Sequence, residues 1–179
     1  MFKEVGKVLR HSVYTPLYFL NGGIDNEIVK KEILKEQKRL IDDPINTRYE
    51  DYALSLNSGT EKLETVKLYG MIDEIIQRDF SFPDNPLVAG TPWAHIHKPN
   101  ESTQSHNHGD SVLSFVYYVS TPANCGNLFF TLEPFLPDRQ TVECITGMLM
   151  IFPSWYPHGV TKNNSDDYRI SISGNYHIN

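Results

Sequence analysis

The chain has 179 residues, 40% hydrophobic and 21% charged, a balance that excludes a disordered or fibrous protein. With 16 Lys and Arg against 22 Asp and Glu the net charge is −6, and no run supplies the basic face that binding to a phosphate backbone requires. No apolar run approaches the ~20 residues that span a membrane. The two cysteines, Cys125 and Cys144, cannot build a zinc knuckle and read as apolar packing in a reducing compartment. Met1 to Val5 carry charges rather than an apolar signal core. A cytoplasmic protein with neither nucleic-acid nor membrane partners is expected.

One domain is expected, with residues 1–89 as a helical N-terminal support and residues 90–179 as a β core. Asp25 or Asn26 can cap a first helix whose Ile28, Val29, Ile33, Leu40 and Ile41 share one stripe, with Pro44 beyond its end. Tyr49–Leu56 is a candidate strand. Ser58-Gly59-Thr60-Glu61 has capping-box spacing and opens a second helix carrying Leu63, Val66, Ile72, Ile75 and Ile76, which fades before Pro83. From about Gly90 short β-rich runs follow one another: Trp93–His97, Val112–Ser120, Asn127–Leu132, Gln140–Ile145, Met148–Phe152, Gly159–Lys162 and Tyr168–Tyr176. Strands this short and closely spaced argue for an antiparallel sandwich or barrel. The fold class is mainly β with N-terminal helices (α+β), a barrel or jelly roll packed on two helices.

Of seven histidines, four lie between His95 and His108. In an extended chain alternate residues face one way, about 6.6–6.8 Å apart. His108 can therefore share a metal ion with Asp110 or with His106, but His106 and Asp110, ~13 Å apart, cannot both reach it without a kink. His158, after an apolar strand and the Pro153–Pro157 turn, is a second distant imidazole. His108, Asp110 and His158 would form the two-His-one-carboxylate triad of non-haem Fe(II) oxygenases. His95 and His97 read as packing or pocket lining beside Trp93, Trp155 and Tyr156 as core or rim aromatics, and His11 and His177 carry no assignment.

In Tyr168–Asn175, Ile170 and Ile172 face one way while Arg169, Ser171, Ser173 and Asn175 face the other. An arginine turned into a barrel must be paired. A dicarboxylate would pair it bidentately, with Ser171 adding a hydroxyl. Arg169 follows His158 by eleven residues, so one strand is expected to join the metal and anion sites.

His108-Gly109-Asp110, His158 and Arg169-Ile170-Ser171 together resemble the H-x-D…H…R-x-S pattern of the 2-oxoglutarate/Fe(II)-dependent dioxygenases. More narrowly, His106-Asn107-His108 followed by Ser114-Phe115-Val116-Tyr117-Tyr118-Val119 resembles a small oxygenase group with an H-x-H…SGVYYV pattern, found in marine bacteria and phages and similar to prolyl 4-hydroxylases. Phe152-Pro153-Ser154-Trp155, His158-Gly159-Val160 and Arg169 to Asn175 match its later motifs, and Phe115 stands where that pattern has glycine. In that group both histidines of H-x-H are usual and the position of Asp110 varies, so His106 is the alternative ligand to Asp110. The resemblance covers about residues 90–179.

The resemblance implies a double-stranded β-helix, a form of jelly roll, with Fe(II) inside one open end. Oxygen and 2-oxoglutarate are consumed, succinate and CO2 are released, and a C–H bond is hydroxylated; ascorbate is an auxiliary candidate. Arg169, Ser171 and Tyr118 would hold the 2-oxoglutarate carboxylate. The implied substrate is a peptidyl, prolyl-like group or a small molecule, a homodimer is admitted, and a phage-encoded copy would act in its host's cytoplasm. Two alternatives stay open, a cupin-type metalloenzyme not using 2-oxoglutarate and a non-catalytic jelly-roll binding module.

Overall fold

The computed structural model describes residues 2–10, 13–20, 23–41, 53–55, 63–131 and 139–178. Both expected helices form. Helix α1 (Asn26–Ile41) opens at Asp25, whose Oδ1 accepts the amides of Glu27 at 2.9 Å and Ile28 at 3.2 Å. The capping box at Ser58–Glu61, Pro44, and residues 49–52 and 56 of the candidate strand lie outside the described residues. The first amides of α2 (Leu63–Phe80) instead reach α1: Glu64 N and Thr65 N donate to the Glu32 carboxylate at 3.2 and 2.9 Å. One helix thus satisfies the orphan donors of the other, with a carboxylate at the positive end of the dipole.

The buried stripes are Val29 and Ile33 on α1, and Leu68, Ile72, Ile75 and Ile76 on α2. Ile28 and Val66, expected on those stripes, face solvent, because Val29 and Thr65 hold the positions in phase with the core. Leu40, Ile41 and Leu63 have side chains outside the described set.

The described strands are β1 (Phe2–Arg10), β2 (Val13–Leu20), β3 (Ala53–Ser55), β4 (Leu87–Ala89), β5 (Trp93–His97), β6 (Thr103–His106), β7 (Leu113–Ser120), β8 (Leu128–Thr131), β9 (Arg139–Val142), β10 (Met148–Pro153), β11 (His158–Val160) and β12 (Arg169–Ile178). The larger sheet runs β1-β2-β10-β7-β12-β5-β3, with β4 beside β12; the smaller runs β6-β11-β8-β9, and the pairings are antiparallel. This is the mainly-β jelly roll with two helices that was expected. The N-terminal part is not purely helical, however: β1 and β2 form a hairpin that joins the larger sheet through β10, Leu149 opposite Tyr18. Pro16 argues against a central strand, but it lies beyond the residues of β2 that pair with β10.

Both faces of the larger sheet are buried. Phe115, Tyr117 and Val119 of β7, Leu149 and Ile151 of β10, and Ile170 and Ile172 of β12 pack with the helices. The alternate residues Val116, Tyr118, Met148, Met150 and Phe152 pack with Leu128 and Phe130 of the smaller sheet. Burial on both sides explains why Phe115–Val119 reads as a continuous apolar run. Polar ties hold the helices in register with the sheet, Tyr117 donating to Asn26 Oδ1 and Tyr176 to Asp73 Oδ1, each at 2.8 Å. No helix among the described residues is long and apolar enough to cross a membrane.

Ile172 is fully buried between β12 and the helices. Ile172→Ala is expected to lower unfolding free energy by about 3 kcal/mol in urea titrations, whereas Val66→Ala on the solvent face should change it by less than about 0.5 kcal/mol.

Candidate metal centre

In the smaller sheet His158 of β11 stands directly opposite His106 of β6, and their rings lie 4.5 Å apart. His108 follows two residues after β6, its amide donating to Ser154 O at 2.9 Å. Its ring is 5.0 Å from that of His106 and 5.3 Å from that of His158. One ring nitrogen from each of the three lies within 4.8 Å of the others. Gly159 makes this approach feasible: a Cβ there would fall 2.6 Å from Phe129 Cζ and 2.7 Å from Thr103 O.

The second nitrogens decide what the first can do. His106 Nδ1 meets Gln104 O at 2.9 Å and His158 Nδ1 meets Tyr156 O at 2.8 Å. A carbonyl only accepts, so each Nδ1 carries the proton and each Nε2 keeps its lone pair for a ligand. Burial, more than its neighbours' charge, pushes His158 down to about 4, and burial likewise lowers His108. Neutral imidazoles with free lone pairs fit a transition metal such as Fe(II).

Asp110 stands outside this group. Strand β6 ends at His106, and the chain then turns, Ser111 N donating to His108 O at 3.1 Å. Gly109 and Asp110 occupy that turn, so the alternation that would aim Asp110 with His108 has ended, and Asp110 is exposed. The donor brought to His108 and His158 is His106, the alternative the sequence left open.

The same cavity contains Arg169, Ser171 and Tyr118 and, among the described residues, no carboxylate. Arg169 and His158 are not joined by one strand: β11 ends at Val160, and residues 161–168 cross to the larger sheet. The crossing places Arg169 opposite the imidazoles, in the other wall. Arg169 is 1% exposed, and its Nε and Nη1 have no hydrogen-bond partner. Its Nη2 lies 2.9 Å from His97 Nδ1 and 3.3 Å from Nε2. Tyr118 Oη is also buried without a partner, and burial, with the Cys144 thiol beside it, holds its phenol well above the ordinary range. Two unpartnered nitrogens on a buried cation, with the Tyr118 hydroxyl in the same cavity, suit an anion, and a carboxylate can accept from a guanidinium.

Burial and the Arg169 charge push His97 down to about 3, and burial with Arg169 takes His95 to about 4. Both are neutral cavity-lining residues, and Trp93 Nε1 donates to His95 Nε2. Sequence reasoning missed Thr103, which meets His97 Nε2 at 2.7 Å, and Ser114 and Ser154, which orient Asn175. The inward phase of β7 relative to β12 could have flagged Ser114; the role of Thr103 depends on how β6 meets β5 and has no local signal.

Residues 91–175, which hold every candidate ligand, match the family described as "Putative 2OG-Fe(II) oxygenase". Over these residues the chain resembles the 2-oxoglutarate/Fe(II)-dependent oxygenases. That description names 2-oxoglutarate and Fe(II), and the three imidazoles are a donor set of the kind that holds such an ion. The fold of the chain is shared by a Pseudomonas putida prolyl-4-hydroxylase, at TM-score 0.54 and 16% identity over 85% of this chain and 81% of that one. A Trichoplax adhaerens prolyl hydroxylase, solved with a hypoxia inducible factor oxygen degradation domain peptide fragment, matches at TM-score 0.63 and 15% identity over 90% and 83%. The alpha-ketoglutarate-dependent epimerase SnoN from nogalamycin biosynthesis matches at 0.58 and 13% over 91% and 76%. No curated protein matches this chain in sequence.

His106→Ala should weaken Co(II) or Fe(II) binding at least tenfold in a metal titration, as loss of a ligand does, while Asp110→Asn leaves it within about threefold. The reverse result would restore Asp110 to the ligand set.

Proposed function

We propose that His106, His108 and His158 hold Fe(II), that Arg169 with Tyr118 and Ser171 takes the distal carboxylate of 2-oxoglutarate, and that the oxygenase hydroxylates a prolyl-like residue of a peptide. The observation carrying this reading is the buried, carboxylate-free guanidinium of Arg169 in the same cavity as three imidazoles. The chemistry supplied on loading is the splitting of 2-oxoglutarate to succinate and CO2 by O2, with one oxygen atom passing to a substrate C–H bond.

The chain's own residues bind, orient and exclude water. Arg169 keeps Nε and Nη1 free of protein partners, so its N–H groups remain to donate to a carboxylate. Leu128, Phe152 and Val160 from β8, β10 and β11 line the cavity with apolar surface, which strengthens that pairing by keeping water out. The Nδ1–H donations of His106 and His158 to backbone carbonyls fix the ring orientations before any ion arrives.

Support for a peptide comes from the other end of the cavity. The inward residues of β12 run Arg169, Ser171, Ser173, Asn175, so Asn175 lies about 20 Å from Arg169 along the strand. That is beyond the reach of a bound 2-oxoglutarate. Trp93 lines this end, its ring 5.9 Å from that of His108. Ser114 donates to Asn175 Oδ1 at 2.7 Å and stands 2.9 Å from the buried Ser154 hydroxyl, so the Asn175 amide is held with Nδ2 turned away from them. An aromatic wall and an amide donor with no charged side chain suit a neutral ring and a backbone carbonyl. The Trichoplax neighbour's bound peptide is consistent with that class.

The oxygenase supplied with Fe(II), 2-oxoglutarate, O2 and a proline-containing peptide should form succinate and a peptide heavier by one oxygen atom by mass spectrometry. His158→Ala should abolish both products. A His158→Ala protein with full succinate yield would remove that residue from the metal site, and succinate without peptide oxidation would reject the peptide.

A further inference from the structure

We infer that His97 is a positioning residue for the co-substrate: its imidazole face seats the Arg169 guanidinium so that Nη1, free of any protein partner, is presented to the 2-oxoglutarate carboxylate. This rests on the assignment of Arg169 to 2-oxoglutarate made above.

Arg169 Nη2 approaches both ring nitrogens of His97 at near-equal distance, 2.9 and 3.3 Å. No in-plane position outside the ring allows that without collision with the carbon between the nitrogens. The group therefore rests on the ring face, an arrangement that favours a guanidinium over a flat neutral π system. The ring stays neutral because it is buried beside a permanent cation.

The platform is itself held on two sides. His97 Nε2 meets Thr103 Oγ1 at 2.7 Å, which ties β5 of the larger sheet to β6, the strand that ends at His106. The His97 carbonyl accepts Asn163 Nδ2 at 2.9 Å, and the same amide group reaches Asp167 O at 2.9 Å. Asn163, 1% exposed, sits in the crossing that delivers Arg169, so the crossing is pinned to the residue on which Arg169 rests. With Nη2 against His97, rotation of the guanidinium is blocked, and the two nitrogens left over, Nε and Nη1, are the unpartnered ones.

The test measures 2-oxoglutarate binding to the Mn(II)-loaded protein by calorimetry, alongside kcat and KM with Fe(II). His97→Leu, which keeps bulk but has no π face, should weaken 2-oxoglutarate binding about tenfold and raise its KM equally, with kcat at saturation within about twofold. His97→Phe restores a flat face and should bind within about threefold of wild type. If His97→Leu fails to fold, His97→Gln, a flexible side chain without a ring, takes its place with the same expectation. Unchanged binding in His97→Leu, with binding lost in Arg169→Ala, would overturn the role of His97 and leave that of Arg169 intact. Equal weakness in His97→Leu and His97→Phe would overturn the stacking argument. Unchanged binding in Arg169→Ala would instead overturn the reading on which this inference rests.

Discussion

A guanidinium buried to 1% exposure, with no carboxylate beside it among the described residues, is a poor stability element. Leaving such a charge unpaired costs several kcal/mol, and two of the Arg169 nitrogens have no hydrogen-bond partner in addition. The surrounding structure must hold that arrangement in place. Two helices and a larger sheet buried on both faces provide the rigidity, and the cavity between the sheets is where the unsatisfied donors converge. An anion entering there replaces no existing pair, so its binding benefits fully from the charge already desolvated.

One geometric rule places most of the site. Successive residues of a strand face opposite ways, so in β12 the same ten residues supply Ile170 and Ile172 to the helical core and Arg169 and Ser171 to the cavity. Strand β5 divides likewise, Ala94 and Ile96 outward, Trp93, His95 and His97 inward, and its register sets His97 opposite Arg169 and His95 opposite Ser171. A shift of one residue in either strand would bury the guanidinium among isoleucines, and the helix-facing core therefore guards the register of the chemistry.

What could be read from the sequence followed from that periodicity. The barrel strands of the second half, the capping by Asp25, and the inward set of β12 are all local patterns, and the structure repeats them within a few residues at the ends. Features that depend on where a pattern stops were harder to read. Asp110 continues the alternation of His106 and His108 on paper, but the chain leaves the strand after His106 and turns at Gly109. The eleven residues from His158 to Arg169 look like one strand and are a strand end plus a crossing. Glu32 capping α2, and Thr103 holding His97, are long-range pairings with no trace in local sequence.

The choice between Asp110 and His106 also bears on charge. A carboxylate ligand would reduce the charge of a divalent ion by one, whereas three imidazoles leave it whole. In the three-histidine reading the cavity would therefore hold that full charge together with the Arg169 cation, and among the described residues no acidic side chain lines its wall. Such a cavity favours a ligand with two negative charges over one with a single charge, and a group of like charge is repelled from it. In that reading the distal carboxylate of such a ligand would meet Arg169 in one wall, and its other anionic end would lie toward the imidazoles in the opposite wall. The substrate would then come from the uncharged end at Trp93 and Asn175, where a neutral residue faces neither of the two charges directly.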